Sequence, residues 1–168
     1  MDRTVVSEIF IFRSVFLIFF NLKPQFLTIF KDKILYMKLK PIGTINSPYK
    51  KKSNSPHQGR FSDQLSKITI FDEYKDALHD IGRYKHYFII YQLDKIEGYK
   101  LKVIPHGKSD ERGLFSTRAP VRPNPIGLCL VELVEINENV LTVKWLDALD
   151  GSPLLDIKPF WPEVDCIQ

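Results

Sequence analysis

The stretch FSTRAPVRPNPIG, Phe115 to Gly127, places Arg118 and Arg122 among three prolines, Pro120, Pro123 and Pro125. Proline sets φ in advance, so such a loop loses little entropy when a ligand is received. Arginine offers a planar fork that matches a carboxylate or a phosphate. Three further loops carry chemistry-bearing residues: PHQGRF at Pro56–Phe61, HGKSDERG at His106–Gly113 and LDALDG at Leu146–Gly151. Each has a purely structural reading beside the functional one. RPNPIG could cross the end of a sheet with Arg122 in a surface ion pair, and DG is a good turn dipeptide.

Other chemistries are not signalled. No GxGxxG follows a strand and no P-loop is present, so neither familiar nucleotide fold is indicated. Ser116 and Ser152 lack His and Asp partners at triad spacing. Cys129 and Cys166 are the only cysteines, and with His57, His79, His86 and His106 they form no zinc spacing. The expectation is no metal and no disulfide.

The average charge is weak, 24 Lys and Arg against 20 Asp and Glu, but its distribution is uneven. From Met37 to Arg60 there are six basic residues and no acid, whereas Asp147 to Asp165 holds five acids and one Lys. The basic run suits a polyanion and the acidic end a cation; two solvated surface regions are the alternative.

The elements that must position these loops read as mostly β. KPIGTI is a first strand, KITIF a short alternating one, and HYFIIYQL and YKLKVIP are strands rich in aromatic and β-branched residues. LCLVELVEI and NVLTVKWLDAL flank Asn137-Glu138-Asn139, a hairpin turn with Asn available for positive φ. LLDIKPF is the last strand. DEYKDALHDIGRY is predicted to be the one helix, and Asn46–Ser62 a long basic loop. Six or seven short strands with one helix predict a single antiparallel β-barrel.

Residues 1–36 differ from the rest. Arg13, Asn21, Lys23 and Pro24 interrupt their apolar runs, and a membrane helix needs roughly 20 predominantly apolar residues. Asp2, Glu8 and the lack of a small-residue cleavage site speak against a secretory signal. The segment is expected to lie outside the domain, with the native start at Met37, the domain over 37–168 and no membrane association.

The chain resembles the TsaA-like (TrmO/YaeB) family. Gly113, Phe115, Arg118, Arg122, Pro123, Asn124, Pro125, Ile126 and Gly127 match its signature, with further likeness in PIGTINSPYK, PHQGRF and LDALDGSPLLDIKPF. The resemblance covers Met37 to Phe160. It implies a cytoplasmic β-barrel homodimer that binds S-adenosylmethionine and methylates N6 of threonylcarbamoyladenosine next to the tRNA anticodon. A non-catalytic binding barrel and a methyltransferase with another acceptor are the alternatives. The implied cofactor contacts are Pro56, His57, Gln58, His86, Tyr87, Arg118, Leu128, Asp147, Ala148, Leu149 and Asp150. Within that set Arg118 suits the cofactor carboxylate, and Asp147 and Asp150 its cations. Lys50, Lys51, Lys52, Arg60 and Arg122 are candidates for tRNA phosphates. HGKSDERG departs from relatives that often carry a longer Gly-rich loop, which leaves the acceptor side less defined. No catalytic residue is assigned.

Overall fold

Period-two burial builds the sheet. In β3 (His86–Gln92) Tyr87, Ile89 and Tyr91 are buried while His86, Phe88, Ile90 and Gln92 face outward. The same alternation places Ile68 and Ile70 of β2 (Ser66–Ile70) and Cys129 and Val131 of β6 (Ile126–Asn137) inside. They pack with Ile45 of β1 (Gly43–Asn46), Val143 of β7 (Val140–Lys144) and Leu154 of β8 (Pro153–Pro159). Each fully buried Ile or Leu contributes about 2 kcal/mol of transfer free energy. The computed structural model describes residues 38–167; the expectation for residues 1–36 lies outside them.

The architecture is mainly β. All ladders are antiparallel, in the order β1-β2-β7-β6-β3-β8, and β8 pairs back onto β1. Each of these six strands therefore has two hydrogen-bonded neighbours, which removes exposed edges from this sheet. The registers fix a consequence for function. Asn46 pairs with Lys67, Ser66 with Val143, Gln92 with Ile126 and Thr44 with Pro153. The connections 47–65, 93–125 and 145–152 thus all leave from one end of the closed sheet. Those three connections contain all four loops singled out in the sequence.

Three expectations need correction. DEYKDALHDIGRY is not an α-helix but two 3-10 segments, Asp72–Leu78 and Ile81–Arg83. Asp80 between them has φ 59, a left-handed conformation that breaks a continuous helix. Tyr74, Leu78 and Ile81 pack against the core from this segment, so tertiary burial rather than propensity sets its course. The α-helix among the described residues is instead α1 (Pro162–Asp165), with Pro162 in its first turn. Second, YKLKVIP does not join the main sheet. Only Lys102–Val103 (β4) is extended, pairing with Arg112–Gly113 (β5) in a separate ribbon. Third, the β6–β7 turn puts Glu138, not an Asn, at positive φ, 51°. The Asn139 side chain is occupied elsewhere, donating to the Ile70 carbonyl at 2.7 Å. Glu138→Gly is expected to raise stability by about 0.5–1 kcal/mol by relieving that strain. An unchanged or lower thermal midpoint would count against it.

Candidate functional site

The site end is assembled by side chains that span long sequence separations. In the connection after β1, Ser47 Oγ donates to the Ala148 carbonyl at 2.7 Å, and the Ser47 amide donates to Asp150 Oδ1 at 3.0 Å. Ser55 Oγ donates to the Asp147 carbonyl at 2.7 Å. These bonds lay the PHQGRF loop alongside the LDALDG turn. Arg118 then joins the proline loop to it, donating from Nη1 to Gln58 Oε1 at 2.8 Å. His57 packs against His106 of HGKSDERG with ring centroids 4.6 Å apart and the planes tilted by 32°. All four loops therefore meet at one place.

Pro56, His57, Gln58, Arg118 and Asp147 to Asp150 fall within this cluster. Asp150 is already engaged: Lys50 Nζ lies 2.5 Å from Oδ2, opposite the Ser47 amide on Oδ1. The Lys50 ammonium beside it holds its carboxyl below the usual carboxylate range. Asp150 is a clasp for the turn, and Lys50 is committed to it. Asp147 is the carboxylate better placed to meet a ligand. Its Oδ1 accepts from the Tyr91 hydroxyl at 2.8 Å, and burial with the neighbouring carboxylate pushes the Tyr91 phenol well above its ordinary range. Tyr91 is therefore a neutral donor at any working pH.

His86 and Tyr87 separate, because adjacent strand residues face opposite sides. Tyr87 is buried and donates to the Ile81 carbonyl, so its ring belongs to the core. His86 faces outward and stacks on Trp145, rings 7° from parallel and centroids 5.7 Å apart. The Arg60 guanidinium lies over the same indole, 3.6 Å from its centroid. Leu128, 62% exposed, is on the outer face of β6. Lys51 and Lys52 are exposed. Arg122 is drawn into its own loop, Nη1 donating to the Thr117 carbonyl at 3.1 Å and the Ala119 carbonyl at 3.2 Å.

Beneath the loops sits a contact that motif reading missed. Trp145 has φ 66, a rare conformation for an aromatic residue. Its carbonyl accepts from the buried Cys129 thiol at 2.9 Å, and burial pushes that thiol up to about 12. The thiol stays protonated and serves as a donor rather than a nucleophile. A Cβ on Gly59 would lie 1.8 Å from the same carbonyl and 2.7 Å from the Cys129 sulfur. Gly59 thus lets the PHQGRF loop rest directly on the end of β7. Gly127 does the same for Tyr91, whose ring would be 2.3 Å from an added Cβ. Neither Tyr91 nor Trp145 carries a sequence signal beyond alternation; the two glycines lie in motifs but say nothing about which backbone or ring approaches.

Comparison with known proteins bears on this arrangement. A model of the tRNA-methyltransferase O N-terminal domain matches residues 44–166. The chain belongs to that family. An S-adenosyl-L-methionine-binding protein of Archaeoglobus fulgidus is 56% identical over 132 residues, covering 79% of this chain and 95% of the relative. The tRNA (adenine(37)-N6)-methyltransferase of Escherichia coli is 35% identical over 132 residues, covering 72% of this chain and 56% of that enzyme. The crystal structure of TrmO from Pseudomonas aeruginosa superposes with a TM-score of 0.65 at 26% identity, covering 79% of this chain and 60% of that one. The chain thus spans the length of the archaeal relative but little more than half of the E. coli enzyme and six tenths of the solved structure. In this tRNA-methyltransferase O domain the matched residues run from β1 through α1, so all four loops of the cluster lie inside the family match.

Proposed function

We propose that this chain is an S-adenosyl-L-methionine-dependent methyltransferase that acts on N6 of threonylcarbamoyladenosine next to the anticodon of tRNA. The observation that carries the reading is the convergence of PHQGRF, the proline loop and LDALDG through the Gln58–Arg118 and Ser55–Asp147 contacts. The names of the relatives supply the class of cofactor and acceptor.

The donor set fits such a cofactor, which has a carboxylate, an ammonium, a sulfonium and an adenine. Arg118 spends one nitrogen on Gln58, leaving the rest of its fork for the carboxylate. Asp147 keeps a carboxylate oxygen beyond the one held by Tyr91, suited to a cationic group. Pro56, His57, Gln58 and Leu149 supply the walls between them, with Leu128 and His86 on the outer face, whereas Ala148 is buried in the core with its carbonyl taken by Ser47 and only anchors the turn. The cofactor, when bound, supplies an electrophilic methyl group on sulfur. The acceptor nitrogen is flanked by adenine and a carbonyl and is a weak nucleophile, so the protein's contribution is chiefly in-line placement. Lys51, Lys52 and Arg60 lie on the connection that forms this wall, where tRNA phosphates would pass.

Two finer parts of the reading rest on surface chemistry. Ile126, 38% exposed, and Leu128 lie outward on β6 beside Phe88, Ile90 and Leu130. That apolar face supports a homodimer. Methylation of tRNA would place the protein in the cytoplasm.

Labelled cofactor incubated with the protein and total tRNA should deliver label to a single nucleoside, identified by mass spectrometry as the methylated threonylcarbamoyladenosine. Label on a different nucleoside would move the acceptor. No label, with cofactor binding intact, would favour a non-catalytic binding module, a reading consistent with relatives named only as S-adenosyl-L-methionine-binding proteins.

A further inference from the structure

Phe115 is 79% exposed, among the most exposed aromatic side chains of the described residues. It is nevertheless held on a built loop rather than a loose one. Ser116 Oγ donates to the Gly113 carbonyl and Thr117 Oγ1 to the Leu114 carbonyl, both at 2.8 Å, while Leu114 itself is buried. Arg122 closes the loop through its bonds to the Thr117 and Ala119 carbonyls, and its guanidinium stands 5.7 Å from the Phe115 ring centroid. An exposed benzyl group fixed in this way keeps its apolar surface in water in the free protein and presents a preordered ring to a partner that would cover it.

The surroundings select the cover. Between Arg112 and Val131 the chain carries three arginines and no Asp or Glu. The two acids just before, Asp110 and Glu111, are paired with Arg112 and Lys102. Arg118, three residues from Phe115, reaches Gln58 in the cluster where the cofactor would bind. A flat apolar ring with the Arg122 guanidinium beside it, on a stretch of chain without an unpaired acid, matches an unpaired nucleobase and its phosphate. A second copy of the same loop would bring more arginines and no acids to balance them. We infer that Phe115 is a stacking platform for an unpaired base of the RNA substrate, with Arg122 orienting the ring and facing the adjoining phosphate. This assigns a substrate-touching residue within the function proposed above and rests on that reading for the identity of the RNA.

The test uses binding and does not depend on turnover. Phe115→Trp in the full chain adds a fluorophore at the platform, read as the difference from the wild-type chain with its Trp145 and Trp161, and is titrated with a synthetic anticodon stem-loop RNA and with a fully paired duplex of the same stem sequence. Quenching by the stem-loop but not by the duplex is expected, because a paired base cannot leave its stack. Phe115→Ala should weaken stem-loop affinity about tenfold or more while leaving cofactor affinity unchanged, in line with ~1–3 kcal/mol per stacked base. Equal quenching by both RNAs, or an alanine variant with unaltered RNA affinity, would overturn the inference. So would fluorescence that changes with protein concentration in the absence of RNA, which would assign the ring to a contact between copies. A protein that binds the stem-loop in this way yet transfers no methyl group would leave Phe115 in place and remove only the catalytic reading.

Discussion

Gly59→Ala is expected to be the most damaging single substitution in the site region, costing ~4 kcal/mol or more. The added Cβ would sit 1.8 Å from the Trp145 carbonyl oxygen and 2.6 Å from its carbon. Both are backbone atoms, so no side chain can swing aside to relieve the overlap. Trp145 cannot retreat easily, because its left-handed φ is held by the Cys129 thiol below and by the Arg60 and His86 contacts on its ring. The Gly59 position is also next to Gln58, so any displacement would pull Gln58 away from Arg118. The expected result is a large fall in the thermal midpoint, with loss of cofactor binding in whatever fraction still folds. A Gly59→Ala protein with a wild-type midpoint would show that the PHQGRF loop does not rest on β7 as described.

Arg118→Ala should leave the fold intact and weaken cofactor affinity about 10- to 100-fold, as expected for loss of a charge-assisted contact of ~1.5–3 kcal/mol. The side chain is exposed and its one hydrogen bond among the described residues goes to Gln58, so little packing is lost. Arg118→Lys should recover only part of the affinity, because an ammonium cannot hold Gln58 and a carboxylate in the same plane. Titration calorimetry with S-adenosyl-L-methionine measures both variants directly. Unchanged affinity for the alanine variant would remove Arg118 from the cofactor site.

The division between what the residues announce and what the fold decides follows from the range of the interactions. Alternation along His86–Gln92 and Ser66–Ile70 is a local property, set by the two-residue period of a strand, so the mainly β class was legible from the chain alone. The loops that gather at the site were legible too, because proline, arginine and Asp-Gly carry their conformational and chemical bias wherever they stand. The failures have equally physical causes. Asp72–Arg83 has a helical spacing of apolar residues, but it must lay Tyr74, Leu78 and Ile81 on a curved sheet, and left-handed Asp80 breaks the run. Asn137 and Asn139 look like the positive-φ residues, yet Asn139 has a partner on β2 and Glu138 takes the strained position.

What the sequence determined by itself was the set of residue types able to hold a zwitterionic, sulfonium-bearing cofactor and a polyanion. Which of them are left free to do so is set by tertiary structure. Asp147 and Asp150 are equivalent on paper, but Lys50 and the Ser47 amide, about 100 residues earlier, occupy Asp150, and Tyr91 positions Asp147. Arg118 and Arg122 are equally basic, but one reaches across to Gln58 while the other is folded back onto its own loop. Contacts between residues this distant depend on the order in which the strands close the sheet, and no local pattern in the chain encodes that order.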